Sequence, residues 1–276
     1  MTRPGLIASL ISGVARHLVP ILLLCSGLLF SCAPTPSGRI DPSGSKDDNS
    51  PWGIPKAPRI LHRVACTIGY DPARREPLWV CYRVDKENVG LKGLTKRKFV
   101  PDPELSREDS AWDEDYRGSG FDRGHMAPFA SVRRPSDSRP EVESCYFSNI
   151  CPQRPNLNRG SWAGLEARIR RWAVQHGRVY VMVGPEFGPN PSKVPSGRVA
   201  IPEAFFMVVA RMADDGPRVL AFVMAQDVND PKGSFEPYLV SVREVEKATG
   251  LDFFSALPRA VQDRLETTRA QAASLN

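Results

Sequence analysis

The chain has 276 residues, a formal net charge of +6 and 41% hydrophobic residues. Once an export leader and a tether are set aside, about 220 residues remain, which is one sizeable domain and excludes a second. The basic balance permits attraction to polyphosphate backbones but by itself singles out no partner.

Arg3, Arg16 and His17 precede an apolar run from Leu18 to Phe30. The run has the length of a signal-peptide core and is too short for a transmembrane helix. Leu29-Phe30-Ser31-Cys32 resembles a lipobox. Residues 1–32 are therefore expected to be an export leader, with Cys32 lipidated and anchoring the protein to a membrane. A simple cleavable signal giving a periplasmic or secreted protein is the alternative. The next stretch is rich in Pro, Ser, Gly and Asp, so 33–55 is expected to be a flexible tether and 56–276 the folded domain.

Within the domain, Leu61–Ile68 and Leu78–Val84 read as a hairpin. Residues 89–100 are basic and ambiguous, 101–120 read as an acidic loop, and Cys145–Ile150 as a short strand. Asn158–Gln175 is the strongest helix: Trp162, Leu165, Ile169 and Trp172 form an amphipathic stripe, and Gly177 provides a stop. Val179–Val183, Phe205–Ala210 and Val219–Ala225 read as strands, Ser241–Thr249 as a helix, and Pro258–Leu275 as a helix or tail. Strand pairs with helices between them, without regular βαβ alternation, give an α+β class.

Four cysteines follow the leader: Cys66, Cys81, Cys145 and Cys151. An exported protein meets oxidising conditions, so disulfides are expected, and a hairpin would bring Cys66 and Cys81 opposite each other. Cys145 to Cys151 spans about 20 Å if extended, beyond disulfide reach unless the strand breaks. No cysteine pair has C-x-x-C zinc spacing.

No phosphate-binding P-loop, G-x-S-x-G elbow or H-E-x-x-H helix occurs. The segment from Tyr116 to Pro128 instead puts His125 beside Arg123 and Asp122 among three glycines. Histidine is the natural proton acceptor near neutral pH, arginine a phosphate clamp, and glycine lets backbone approach a ligand. Taken alone, those residues also fit a turn with a structural histidine. Farther along stand Ser148-Asn149-Ile150-Cys151-Pro152-Gln153 and Asn158-x-x-x-Trp162-x-x-Leu165-Glu166.

Together with Asp122-Arg123-Gly124-His125, these patterns resemble the DNA/RNA non-specific endonuclease family of ββα-metal nucleases, over roughly residues 61–257. The resemblance implies a central, mostly antiparallel sheet flanked by helices, and a ββα finger that carries the site. It implies His125 as general base, Asn158 as the one protein ligand of a Mg²⁺ (Mn²⁺ being an alternative), and Glu166 orienting metal-bound water. Asp122 is expected to orient its neighbours. Arg123, Arg170 and Arg159, with Arg97 on a looser alignment, are expected to face phosphate. The implied partners are DNA and RNA backbones, the implied products carry 5′-phosphates, and some members of the family are homodimers. A catalytically dead binding lipoprotein and a phosphodiesterase for short oligonucleotides are the alternatives.

On a straight helix, Asn158 and Glu166 would lie about 12 Å apart along the axis, too far for both to ligate one ion. That spacing favours a direct Asn ligand and a Glu acting through water.

Overall fold

The computed structural model describes residues 47–214, 216–228 and 235–269. The expected leader, Cys32 and the first part of the tether lie outside the described residues. In chain order the strands are β1 (Arg59–His62), β2 (Thr67–Asp71), β3 (Glu76–Asp85), β4 (Asp122–His125), β5 (Ile150–Gln153), β6 (Arg178–Glu186), β7 (Ala204–Ala213), β8 (Gly216–Ala225) and β9 (Leu239–Val240). The α-helical segments are α1 (Asp113–Tyr116), α2 (Arg139–Ser144), α3 (Pro155–Leu157), α4 (Ala163–His176), α5 (Val242–Thr249) and α6 (Arg259–Thr267).

Seven strands form one sheet in the order β1-β2-β3-β6-β7-β8-β9, and β4 and β5 form a separate ribbon. The neighbouring strands pair antiparallel throughout, as an α+β reading requires.

Alternation along the strands divides the core. Val80, Tyr82, Val181, Val183, Phe205 and Met207 pack with Leu165, Ile169 and Trp172 of α4 on one face. Trp79, Cys81, Met182, Phe206 and Val208 pack with Val242 and Val245 of α5 on the other. A third cluster, built on Tyr116, Phe147 and Ile150, fills the space around the β4–β5 ribbon. Helix α5 starts on a capping box in which Ser241 accepts from the Glu244 amide and Glu244 accepts from the Ser241 amide.

The structure differs from the sequence expectation in four places. The stretch 61–68 is itself a turn between β1 and β2, because Arg63 N–H bonds back to the Cys66 carbonyl at 2.8 Å. Cys145–Ile150 is not a strand: a 3₁₀ turn over Phe147–Asn149 leads into β5. The tether ends before residue 55. Trp52 is fully buried, with its ring 5.0 Å from Tyr180 and 5.9 Å from Phe254, and Asn49 and Ser50 are buried with it. One large aromatic ring outweighs the polar composition around it.

The disulfide expectation also fails, since Cys66, Cys81, Cys145 and Cys151 are all free and buried. The β2–β3 ladder pairs Thr67 with Cys81, so Cys66 is one residue out of register. Its side chain joins the α4 face while Cys81 joins the opposite one.

Candidate active site around the DRGH strand

The four residues Asp122 to His125 are strand β4, paired with β5 in the register Asp122–Gln153, Arg123–Pro152, Gly124–Cys151 and His125–Ile150. Gly124 is required there: a Cβ at that position would sit 2.3 Å from Gln153 Oε1. Asn149 fastens the end of the ribbon. Its Oδ1 accepts the Ala127 amide at 2.9 Å, and its Nδ2 donates to the Ala127 and Ser144 carbonyls at 3.0 and 2.7 Å. The Ser-Asn of the second motif is thus structural, with Ser148 donating to Asp102, itself paired with Arg63.

Arg123 and His125 share one face of β4, and Phe99 covers both: its ring lies 5.2 Å from the His125 ring and 5.7 Å from the Arg123 guanidinium. Burial pulls the His125 imidazole down to about 3, and the positive charge of Arg97 adds to this. Glu166, in the first turn of α4, moves the other way. Burial pushes its carboxyl up to about 7, although the charges of Arg170 and Arg97 oppose the rise. Arg97 therefore lies within electrostatic reach of both His125 and Glu166, and the structure brings these three together with Arg170. The Arg170 guanidinium also donates to the Ser131 hydroxyl at 3.2 Å. Tyr82 of β3 is fully buried within range of the Glu166 and Arg170 charges, and its hydroxyl has no hydrogen-bond partner.

A second group forms around Asp122. Asn158 Nδ2 donates to Asp122 Oδ2 at 2.9 Å, and Arg159 grips the same carboxylate through Nε and Nη2 at 2.8 and 2.5 Å. With Nδ2 committed to Asp122, the oxygen is the end of the Asn158 amide left to accept a hard cation.

Asn158 and Glu166 are not on one straight helix. Residues 158–162 form a π-helical turn broken at Gly160 (φ −104°, ψ −110°) before α4 begins. The straight-helix separation therefore does not apply; such π turns recur at functional sites.

Arg123 is less free than expected, because its Nη2 donates to Asp113 Oδ1 at 2.6 Å. Sequence reading missed Asp113, which is one of several acids in a polar loop, and Phe99, which sits in the ambiguous basic stretch. Of the other arginines from Arg154 to Arg178, Arg178 pairs with Asp85, Arg154 lies over Phe121, and Arg168 and Arg171 are exposed. Among the described residues, the one cluster of acids at metal-ligand spacing is Glu246, Asp252 and Glu266. It contains no expected site residue, and Arg243 already bridges Glu246 and Glu266 at 3.2 and 2.6 Å.

Comparison with known proteins identifies the family and the fold. The family described as DNA/RNA non-specific endonuclease matches residues 51–260. Mitochondrial endonuclease G of Bos taurus is 31% identical over 265 residues, covering 91% of this chain and 83% of its own. A nuclease of Serratia marcescens is 35% identical over 218 residues, covering 74% of this chain and 78% of its own. The solved EndoG/EndoGI complex superposes with a TM-score of 0.71 at 28% identity, over 76% of this chain and 91% of that one. The chain belongs to the DNA/RNA non-specific endonuclease family and is an enzyme of the nuclease class.

Proposed function

We propose that this chain hydrolyses phosphodiester bonds within DNA and RNA, with little sequence preference, by metal-assisted general-base catalysis. What supports this reading is one short strand that carries a neutral histidine, His125, and through Asp122 holds the amide of Asn158, with the charge of Arg97 reaching His125 and Glu166 and that of Arg170 reaching Glu166. His125 takes the proton of the attacking water. Burial and Arg97 hold its imidazole unprotonated in the free protein. An arriving phosphodiester anion counters the Arg97 charge and raises the basicity of the ring toward a useful range.

Asn158 would hold a Mg²⁺ or Mn²⁺ through Oδ1, and Glu166 would orient water around it. The bound ion supplies Lewis-acid charge to the phosphate and the leaving oxygen. Asp122 fixes the Asn158 amide. Arg97 and Arg170 hold phosphate oxygens, and Arg159 reaches phosphate only by loosening its grip on Asp122. Contacts of this kind carry no base information, so specificity is low.

We also propose export through residues 1–32 with lipidation at Cys32; an intact mass ending at an acylated Cys32 supports this, and an unmodified mature chain refutes it. Homodimerisation is proposed on family grounds, and sedimentation of the purified chain tests it.

The catalytic test is digestion of supercoiled plasmid and of RNA by the full chain with Mg²⁺, Mn²⁺ or EDTA, beside His125→Ala and Asn158→Ala. Both polymers should be cut, EDTA should stop the reaction, and each variant should lose about 100-fold or more. Binding without cleavage under every metal and pH would leave a nucleic-acid-binding protein. Cleavage of dinucleotides alone would leave a narrower phosphodiesterase.

A further inference from the structure

The His125 ring is held along one edge by a sulfur atom. Its Nε2 lies 3.8 Å from Cys145 Sγ. Cys145 is only 1% exposed, so the Nε2 edge of the partly exposed His125 ring meets a buried sulfur.

The sulfur is itself fixed. Cys145 closes the end of α2, and its carbonyl accepts the Val100 amide at 3.2 Å; the Val100 carbonyl in turn accepts the Phe147 amide at 3.1 Å. The same 97–100 segment lays the Phe99 ring against the imidazole, with 5.2 Å between ring centres. The imidazole is therefore clamped on a face and an edge by one short segment and one thiol.

We propose that Cys145 is a positioning residue for His125: its sulfur accepts the Nε2–H of the imidazole and so reserves Nδ1 as the proton-accepting nitrogen. This rests on the reading of His125 as general base. A neutral imidazole carries one N–H, and the position of that proton decides which nitrogen is the base. If Nδ1 carried it, the lone pair would point at the buried thiol and no water could reach it. Burial pushes the thiol up, so it stays uncharged at neutral pH and orients the ring without the added negative charge a carboxylate partner would bring.

The full chain labelled with ¹⁵N-histidine reads the tautomer directly, from long-range ¹H–¹⁵N correlations of His125 at neutral pH; His125→Ala assigns the signals. The parent should show a protonated Nε2 and a bare Nδ1. Cys145→Ala should give a mixture of tautomers and lower kcat on plasmid about 2- to 12-fold, the worth of one net hydrogen bond. KM and the Mg²⁺ requirement should not move, and Cys145→Ser, whose hydroxyl also accepts, should recover most of kcat.

A protonated Nδ1 in the parent overturns the proposal, as does a Cys145→Ala variant with unchanged tautomer and kcat. If Cys145→Ala fails to fold, the parent spectrum and Cys145→Ser decide the matter. Full activity in His125→Ala would sink the general-base reading instead, and the spectrum would still report whether Cys145 sets the tautomer.

Discussion

Asn158 Nδ2 donates to Asp122 Oδ2 at 2.9 Å, and this single bond determines which end of the Asn158 amide faces outward. Losing it lets the amide rotate and present N–H groups where an oxygen is needed. For Asp122→Ala, the Mg²⁺ concentration giving half-maximal plasmid cleavage should rise about 10- to 100-fold, as for other residues that orient a metal ligand. Arg159→Ala breaks the other half of the same contact but leaves Asn158 anchored, so its Mg²⁺ requirement should stay close to that of the parent. Equal shifts in the two variants would refute the orienting role.

Glu166 gives the Mg²⁺ requirement a pH dependence. Its carboxyl is raised to about 7 without metal, so it is mostly protonated below that pH and ionised above it. A nearby cation favours the ionised form, and binding then releases a proton. Apparent Mg²⁺ affinity should climb as pH rises from 6 to 7 and level off by 8, while Glu166→Gln should be flat across the range. By linkage, the folded chain keeps this proton between about pH 4.5 and 7 after the unfolded chain has released it. The group therefore lowers stability as pH rises through that window, and Glu166→Gln removes this slope from a urea-unfolding series.

Asn149 joins the end of β4 to α2 with three side-chain hydrogen bonds and is completely buried. Asn149→Ala leaves an amide N–H and two carbonyls without partners, at a cost of about 3 kcal/mol or more. Urea unfolding should show that loss as a lower midpoint, and residual activity at low temperature should keep the parent's Mg²⁺ dependence. A variant as stable as the parent would mean that water takes over all three bonds.

The four free cysteines make reductant irrelevant to the described fold. Intact mass under non-reducing conditions should show no loss of hydrogens among Cys66, Cys81, Cys145 and Cys151. The melting temperature should be the same with and without a thiol reductant. A drop of several degrees on reduction would mean that a disulfide forms after all.

The α+β class and α4 were legible because the apolar spacing of Trp162, Leu165, Ile169 and Trp172, and of the strands β6 to β8, has the period of its element; the antiparallel sheet was implied by the family resemblance. The His125 and Asn158 motifs stood out through their joint resemblance to the DNA/RNA non-specific endonuclease family, since the residues around His125 alone also fit a structural turn. Less could be read where an outcome depends on one long-range contact. Nothing local in Asp47–Pro55 shows that Trp52 finds Tyr180 and Phe254, and nothing beside Cys66 shows that β2 enters its ladder with Thr67 opposite Cys81. The π turn at Gly160 was hidden because the apolar stripe continues across it. Asp113, Phe99 and Cys145 reach the site through folding alone, each from a stretch with no regular period.

The burial of Trp52 has a geometric consequence for the two faces of the sheet. Trp52 packs on the face with Trp79, Cys81 and Phe206, whereas Met126, Leu157 and Leu165, next to the DRGH strand and α4, belong to the opposite one. Trp52 thus ties the segment before β1 to the sheet face opposite α4, so loss of its ring would loosen the sheet from the side that does not carry the β4–β5 ribbon.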